Sequence, residues 1–500
     1  MLPAVELIMT FLPSHHTDKV PLQDHCGIVG IFSAVDAPLF STAYQALLTL
    51  QTRGYDGAGF WAIDSAGKEY QFKGQGKIRE VLGGLVDTYK KTPFRMILMQ
   101  TRYGTSGEQS FENVQPLRMV HQKSQEVFSV AHNGQFSTHP GDEASGLSDT
   151  VLFAHKLGVK PQTSWDARIS SALLRQKGAF SLLIATAQTL YACRDTLGIR
   201  PLVYGRLSQA KPYQWIVASE TSSIAILGAN HIKEVLPGEI IKFTESGVRK
   251  IKKPSLTTPK ALCIFENVYL MDEISRAHLP TKHPKDLRNS PNVNQVHFRS
   301  GQILAREAPL TRKEVDMVIG VPGTGISGGQ GFANILKLSY VQAISDKETS
   351  ITEQRTFMTA DIDQITQKVL AHFDIAKDIV RGKRLCLVDD SLVRGNITTS
   401  LIRLLKKQYG AKAIHVRILC PPIDKPCHLG INTRNPAELI VHNYGGDLEK
   451  VRKHIGAASL VYISPEGLKE AITNNPQAKG FCLGCMLGHV PPLTKDGKRQ

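Results

Sequence analysis

The chain has 500 residues, of which 42% are apolar and 21% charged, with 60 Lys and Arg against 44 Asp and Glu and a formal net charge of +16. That length allows more than one hydrophobic core, and no apolar run reaches the length of a bilayer span. The basic residues are spread along the chain without a helix-turn-helix, zinc-finger or ribonucleoprotein motif. The charge therefore reads as a solvated surface suited to a phosphorylated small molecule, not to nucleic acid or membrane.

The first 25 residues are mildly apolar, but they carry Glu6, lack a basic opening and are broken by prolines. They do not read as a secretory signal, and the expected compartment is the cytoplasm. From Cys26 to about Arg249, short apolar runs (CGIVGIF, AGFWAID, FRMILMQTRYG, VFSVAHNG, FSLLIATAQTLYACRD, WIVASE, EIIKFTE) alternate with Gly, Asn and Ser turns. Three stretches read as helices: Tyr44–Thr52, Asp149–Leu157 and Trp165–Gln176. This is the pattern of layered sheets with a few packed helices. Residues 250–260 form a basic, proline-containing linker.

From about Ala261 the pattern changes. DMVIGVPG, KRLCLVDDS, AIHVRILCPP and ELIVHN are apolar runs that open into polar loops, with helical periodicity between them. ITTSLIRLLKKQYG reads as an amphipathic helix ending at a glycine cap. Strand, loop and helix in repetition imply a parallel α/β sheet with its sites at the carboxyl ends of the strands.

Two stretches carry chemistry. In RLCLVDDSLVRGNITTS (384–400) a strand ends in Asp389 and Asp390, a glycine-containing loop follows, and a helix begins. Loop amides and a helix N-terminus present unpaired N–H groups to an anion. Ser391, Asn396, Thr398 and Thr399 add side-chain donors. The paired acids suit a Mg²⁺-bridged diphosphate or the hydroxyls of a ribose. The second stretch is Cys26, which opens a core strand behind the leader. Alone it reads equally well as a buried strand residue. A chain beginning at Cys26 would instead set an α-amine, of pKa near ~8, beside the thiol as its base. The leader 1–25 would then be a propeptide.

The segment from Val388 to Gly395 resembles the phosphoribosyl-diphosphate signature of the phosphoribosyltransferases. That resemblance implies diphosphate binding by Ser391, Arg394, Gly395, Asn396 and Thr398. It implies Mg²⁺ at Asp389, Asp390 and Thr324, the last in a second loop, VIGVPGTG (318–325), where Gly323 replaces the family's acid. The first half resembles the amino-terminal-nucleophile, class II glutamine amidotransferases. The carriers, in order, are CGIVGIF, LQTRGYDGAG (50–59), TRYGTSG (101–107), AHNG (131–134), SDT (148–150), RDTLGIRPL (194–202), ASE (218–220) and PGE (237–239). This implies Cys26 as nucleophile, Asn133 and the Gly134 N–H as oxyanion hole, and Arg102 and Asp149 as ligands of the substrate carboxylate and ammonium. RGYD, with Tyr55 and Gly57, is closer to glucosamine-6-phosphate synthase, whose isomerase half the second half does not match.

Together the halves resemble the amidophosphoribosyltransferase family over nearly all of residues 26–489, including CIFENVY (263–269), PPIDKPCHLGI (421–431), IGAASLVYISPEGL (455–468) and CLGCMLGHVP (482–491). The implied fold is a four-layer αββα glutaminase domain (26–250) followed by a type I phosphoribosyltransferase α/β domain (261–500). The implied reaction converts glutamine, water and 5-phosphoribosyl diphosphate to 5-phosphoribosylamine, glutamate and diphosphate in purine synthesis. A homotetramer inhibited by purine nucleotides is expected. The resemblance also gives Cys263, Cys427, Cys482 and Cys485 a use as ligands of a [4Fe–4S] cluster in one branch of the family. Zinc would accept the same four thiolates. Cys420 matches no family position.

Three segments depart from the family. Asp346-Lys-Glu-Thr349 stands in the region of its basic flexible loop, ahead of Arg355-Thr-Phe357. His372-Phe-Asp374 replaces its Lys-Leu-Asn. Leu270-Met-Asp-Glu-Ile-Ser275 replaces its Arg-Pro-Asp-Ser run. Two other readings therefore stand beside the purine enzyme: a paralogue using another phosphorylated or ribosylated acceptor, and a non-catalytic nucleotide-binding regulator.

Overall fold

The computed structural model describes residues 26–103, 111–137, 147–161, 164–174, 176–208, 210–253, 260–280, 287, 290–347, 373–431, 433 and 435–488. The expected leader, most of the linker, most of the altered loop with Arg355–Phe357, and His372 lie outside the described residues.

The strand that follows Cys26, Gly27–Ala37, shows how the first half is built. Successive side chains of a strand point to opposite faces. Ile28 and Phe32 enter a core shared with Trp61, Leu98, Ala131 and Leu183, while Val29 and Ile31 face Phe40, Ala43 and Leu47. Both faces of this strand are thus covered. It lies between Gln214–Ala218 and Phe94–Arg102 in a seven-stranded sheet, and every pairing in that sheet is antiparallel. A second sheet of six antiparallel strands is centred on Leu190–Arg194 and Gly178–Thr186, with Val127–Phe136 next to them.

The two sheets pack face to face through the Ile28, Phe32 and Leu183 cluster. The outer face of the first is covered by the helix Phe40–Leu48. Helices Asp149–Gly158 and Trp165–Leu174 cover the second through Val151, Phe153, Leu157, Ile169 and Leu173. The result is the expected αββα arrangement.

Two of the three expected first-half helices keep their places. The other begins at Phe40, four residues earlier than its apolar pattern indicated, and ends at Leu48. Its N-cap, Leu39, offers no side-chain acceptor, so no capping residue marks the start. Gln51–Arg53 forms a separate 3-10 turn. Short helices at Ile78–Leu82, Val86–Tyr89 and Thr221–Ala225 add to the three.

The second half carries a four-stranded parallel sheet in chain order: Met317–Gly320, Arg384–Asp389, Ala413–Ile418 and Ser459–Tyr462. Helices Gly325–Leu336 and Asn396–Lys407 follow the first two strands directly. The second of these ends at Lys407, with Gln408 as its cap, so Gly410 (φ +75°) lies beyond the helix and is not its cap residue. The core of this half also takes in Ala179, Leu197 and Ile199 from the first.

Candidate functional site

Cys26 is half-buried at the start of its strand, and its thiol donates to the Tyr103 carbonyl at 3.8 Å. Burial pushes the thiol up from its ordinary range. The Tyr103 contact and the Arg102 guanidinium oppose that rise, while Asp149 and Asp56 add to it. The charges of two predicted substrate ligands, Arg102 and Asp149, are thus both felt at the sulfur. Arg102 ends the neighbouring strand and is buried; its carbonyl accepts from Asp56 N at 3.0 Å. Asp149 opens its helix behind the Ser148 cap. Its carboxylate accepts from the N–H groups of Phe136 (2.6 Å) and Thr150 (2.8 Å), which orient it.

Asn133 is fully buried on the strand Val127–Phe136, and neither its Oδ1 nor its Nδ2 has a hydrogen-bond partner among the described residues. A buried amide without partners is costly. The Asn133 strand holds Asp149 through the Phe136 N–H and is tied to the Arg102 strand through the His132 carbonyl, and a buried polar group left without a partner is the exception in a folded protein. Gly134 follows at φ +139°, where an added Cβ would lie 2.0 Å from the Ala179 carbonyl oxygen, so only glycine fits this turn of the strand.

The sequence motifs include Gln100, His132 and Thr150 without giving them a role, and they do not include Gln115. Gln100 Nε2 donates to the His132 carbonyl at 2.9 Å, which ties the Arg102 strand to the Asn133 strand across the two sheets. Gln115 accepts from His132 N at 2.8 Å, and His132 Nδ1 meets Thr150 Oγ1 at 2.8 Å. Burial lowers His132 to about 4, so the ring stays neutral near pH 7. It is a scaffold residue, stacked on Phe136 at 4.2 Å. The available signal was the polar cluster inside otherwise apolar strands.

At the second site, the strand Arg384–Asp389 delivers Asp389, and Asp390 follows it. Asp389 accepts from Asp390 N (2.9 Å), and Asp390 accepts from the Ser391 hydroxyl (3.0 Å). Burial and the adjacent Asp390 charge push Asp389 well above the carboxylate range. Burial pushes Asp390 up to about 6, against hydrogen bonds from the Thr324 and Ser391 hydroxyls. The structure therefore brings Thr324, Asp389, Asp390 and Ser391 together, as expected. Thr398 also reaches the pair, through Asp389.

The loop 321–324 packs onto the same strand: Val321 N donates to the Val388 carbonyl at 2.9 Å, and a Cβ on Gly325 would lie 2.4 Å from that oxygen. Gly395, at φ +78°, starts the next helix, with Asn396 exposed at its first turn. Arg394 forms an ion pair with Glu438, its Nε at 2.9 Å from Oε2. This engages one expected diphosphate ligand with a neighbouring turn.

The four expected cluster cysteines come from three segments that meet. Cys263 and Cys482 are partners in a short parallel ladder. Asp424 N and Lys425 N both donate to the Cys485 carbonyl at 3.0 Å, bringing the Cys427 segment alongside, and Leu429 N donates to Cys427 Sγ at 3.4 Å. Burial pushes Cys482 up to about 11 and also raises Cys263 and Cys485 well above the ordinary thiol range, and in each case neighbouring thiols reinforce the rise. Among the described residues, no group of three or more His, Cys, Asp or Glu side chains is arranged to hold a metal ion. The expected donor set is all sulfur, with Cys263 buried and Cys427, Cys482 and Cys485 partly exposed, a chemistry that suits a thiolate-bound metal better than a hard cation.

A comparison with protein-family models finds no match. Among curated proteins, the chain is 32% identical over 531 residues to the amidophosphoribosyltransferase of Rattus norvegicus, covering 94% of this chain and 98% of that one. Among solved structures it resembles an allosteric regulatory enzyme of purine biosynthesis (TM-score 0.79, 30% identity, 95% and 98% coverage). It also resembles the glutamine phosphoribosylpyrophosphate amidotransferase of Bacillus subtilis in complex with ADP and GMP (TM-score 0.77, 29% identity, 95% and 99% coverage).

Proposed function

The chain belongs to the amidophosphoribosyltransferase family, glutamine-dependent pentosyltransferases of purine biosynthesis, and from that premise we propose how its own residues divide the reaction. The observation that carries the assignment is the buried, unpartnered Asn133 amide on the strand whose Phe136 N–H holds Asp149, the carboxylate whose charge, with that of Arg102, acts on the Cys26 thiol.

Arg102 takes the glutamine α-carboxylate and Asp149 the α-ammonium. The Cys26 sulfur attacks the side-chain amide carbon. The α-amine of Cys26, freed by removal of residues 1–25, accepts the thiol proton. As the C=O bond opens, charge appears on oxygen and is met by Asn133 Nδ2 and Gly134 N–H. The C–N bond then breaks, the held proton goes to the leaving nitrogen, and ammonia departs. Water hydrolyses the thioester to glutamate and restores the thiol. In the second half, ammonia attacks ribose C1 as the C1–O bond to diphosphate breaks. Asp389, Asp390 and the Thr324 hydroxyl would hold Mg²⁺, which neutralises charge on the departing diphosphate when bound. Ser391, Gly395, Asn396 and Thr398 cradle phosphate oxygens at the helix start, and Arg394 reaches the same loop once it exchanges Glu438 for substrate.

Cys263, Cys427, Cys482 and Cys485 would hold a [4Fe–4S] cluster that clamps the C-terminal segment to the start of the second half. No helix among the described residues is long and apolar enough to cross a membrane; a cytoplasmic homotetramer regulated by purine nucleotides is part of the proposal. The test is glutamate release driven by phosphoribosyl diphosphate. It is expected in the wild type and abolished in Cys26→Ala, while ammonia-dependent phosphoribosylamine formation survives. Retention of glutamine-dependent turnover in Cys26→Ala would refute the assignment.

A further inference from the structure

Behind the glutamine pocket lies a lattice of buried charges that the reaction scheme does not use. Arg53, Arg200, Glu220 and Glu266 are each 3% exposed or less. Glu266 accepts from Arg53 Nη2 at 2.6 Å and from Arg200 Nη1 at 3.1 Å. Arg53 also pairs with Glu220, which in turn accepts from Ser275 Oγ (2.7 Å) and Asp272 N (2.9 Å). Burial would raise Glu266, but the two guanidinium groups outweigh it and hold the carboxyl below its usual range.

Each arginine of the pair reaches one wall of the pocket. Arg53 precedes Gly54, whose carbonyl accepts from Thr101 Oγ1 at 2.8 Å and whose Cα rests on the Arg102 peptide, so that a Cβ there would lie 2.6 Å from the Arg102 oxygen. This is the carboxylate-binding wall. The Arg200 carbonyl accepts from Ser181 Oγ at 3.2 Å, and Ser181 is the ladder partner of Asn133. This is the oxyanion wall. Arg200 Nη2 also donates to the Leu429 carbonyl at 2.5 Å. The next residue, Gly430 (φ +99°), lies close enough to Gly134 that an added Cβ would be 3.3 Å from its carbonyl carbon. Glu266 itself belongs to the second half, three residues beyond Cys263, and Leu429 stands two beyond Cys427.

Buried ion pairs are poor sources of net stability, because desolvation offsets their attraction; what they fix is geometry. We infer that Glu266 is a positioning residue of the glutamine reaction. From the second half, it sets the spacing between the Arg102 wall and the Asn133–Gly134 wall through Arg53 and Arg200, so that the pocket is in register only when the Cys263 and Cys427 segments are in place. The inference rests on the glutaminase assignment above. A displacement of about 1 Å in such a pocket costs on the order of a hundredfold in rate.

The test is Glu266→Gln in the full chain, assayed with glutamine and separately with ammonia as nitrogen source. A carboxamide of the same shape must turn an NH₂ toward one of the two arginines. The glutamine-dependent kcat/KM should fall about ten- to hundredfold, with KM for glutamine raised through Arg102 and kcat lowered through Asn133, while the ammonia-dependent rate holds. Unchanged glutamine kinetics, or an equal loss of both activities, would overturn the inference. Should Glu266→Gln fail to fold, Arg200→Lys carries the same expectation and the same refutation. A wild-type chain that makes product from neither nitrogen source would instead refute the functional assignment.

Discussion

Asn133→Ala separates function from stability. The side chain is fully buried, and its two polar atoms have no partner among the described residues. Holding such an amide away from water costs roughly 1–3 kcal/mol. Removing it recovers that cost but leaves a small cavity worth about 1–2 kcal/mol of lost packing. The two nearly cancel, so the variant should unfold within about 1 kcal/mol of the wild type. In turnover the effects do not cancel. Loss of one oxyanion donor removes about 2.7–4 kcal/mol of transition-state stabilisation, which lowers kcat for glutamate formation about 10²- to 10³-fold. KM for glutamine should barely move, since Arg102 and Asp149 make the ground-state contacts. Steady-state glutaminase kinetics with urea unfolding read both quantities. Destabilisation beyond about 3 kcal/mol with kcat preserved would show the amide to be structural and the oxyanion assignment wrong.

Two further outcomes follow from other parts of the fold. Although burial would raise it, Glu234 is held down to about 2 by Arg194 and His278, with His278 Nδ1 at 2.8 Å. Its folded pKa lies below its unfolded value near ~4.3, so its stabilisation is complete above that value and is lost as pH falls toward 2, a change on the order of 3 kcal/mol. Glu234→Gln should flatten the acid limb of urea midpoint against pH in that window; an unchanged limb would contradict the pairing. Protein prepared anaerobically with iron and sulfide should hold about four irons per chain and show visible charge-transfer absorption. Cys482→Ser should abolish both, whereas Cys420→Ser should keep them; equal effects of the two would contradict the ligand set.

Much of this was legible because period and punctuation agree. CGIVGIF is a continuous apolar run and is buried on both faces, and LCLVDDS ends a parallel strand at its acids, so strand type and site position came out together. The helix at Phe40 was misplaced because Leu39 offers no capping oxygen to mark its start. The lattice of Arg53, Arg200, Glu220 and Glu266 went unassigned for a different reason. A charged residue in an apolar run signals a buried partner, but not which one, and these partners lie up to 213 residues apart. Arg394 likewise matched a phosphate motif, while its pairing with Glu438 depends on how a later turn folds back.

The measurement that bears most directly on the coupling of the two halves uses glutamine labelled with ¹⁵N at its side-chain amide, incubated with 5-phosphoribosyl diphosphate, Mg²⁺ and the purified chain. Glutamate and diphosphate should appear in a one-to-one ratio, with the label carried into 5-phosphoribosylamine and unaffected by unlabelled ammonia in solution. Glutamate formed without diphosphate, or label diluted by the ammonia pool, would contradict a thiol site that feeds a sugar-diphosphate site within one molecule.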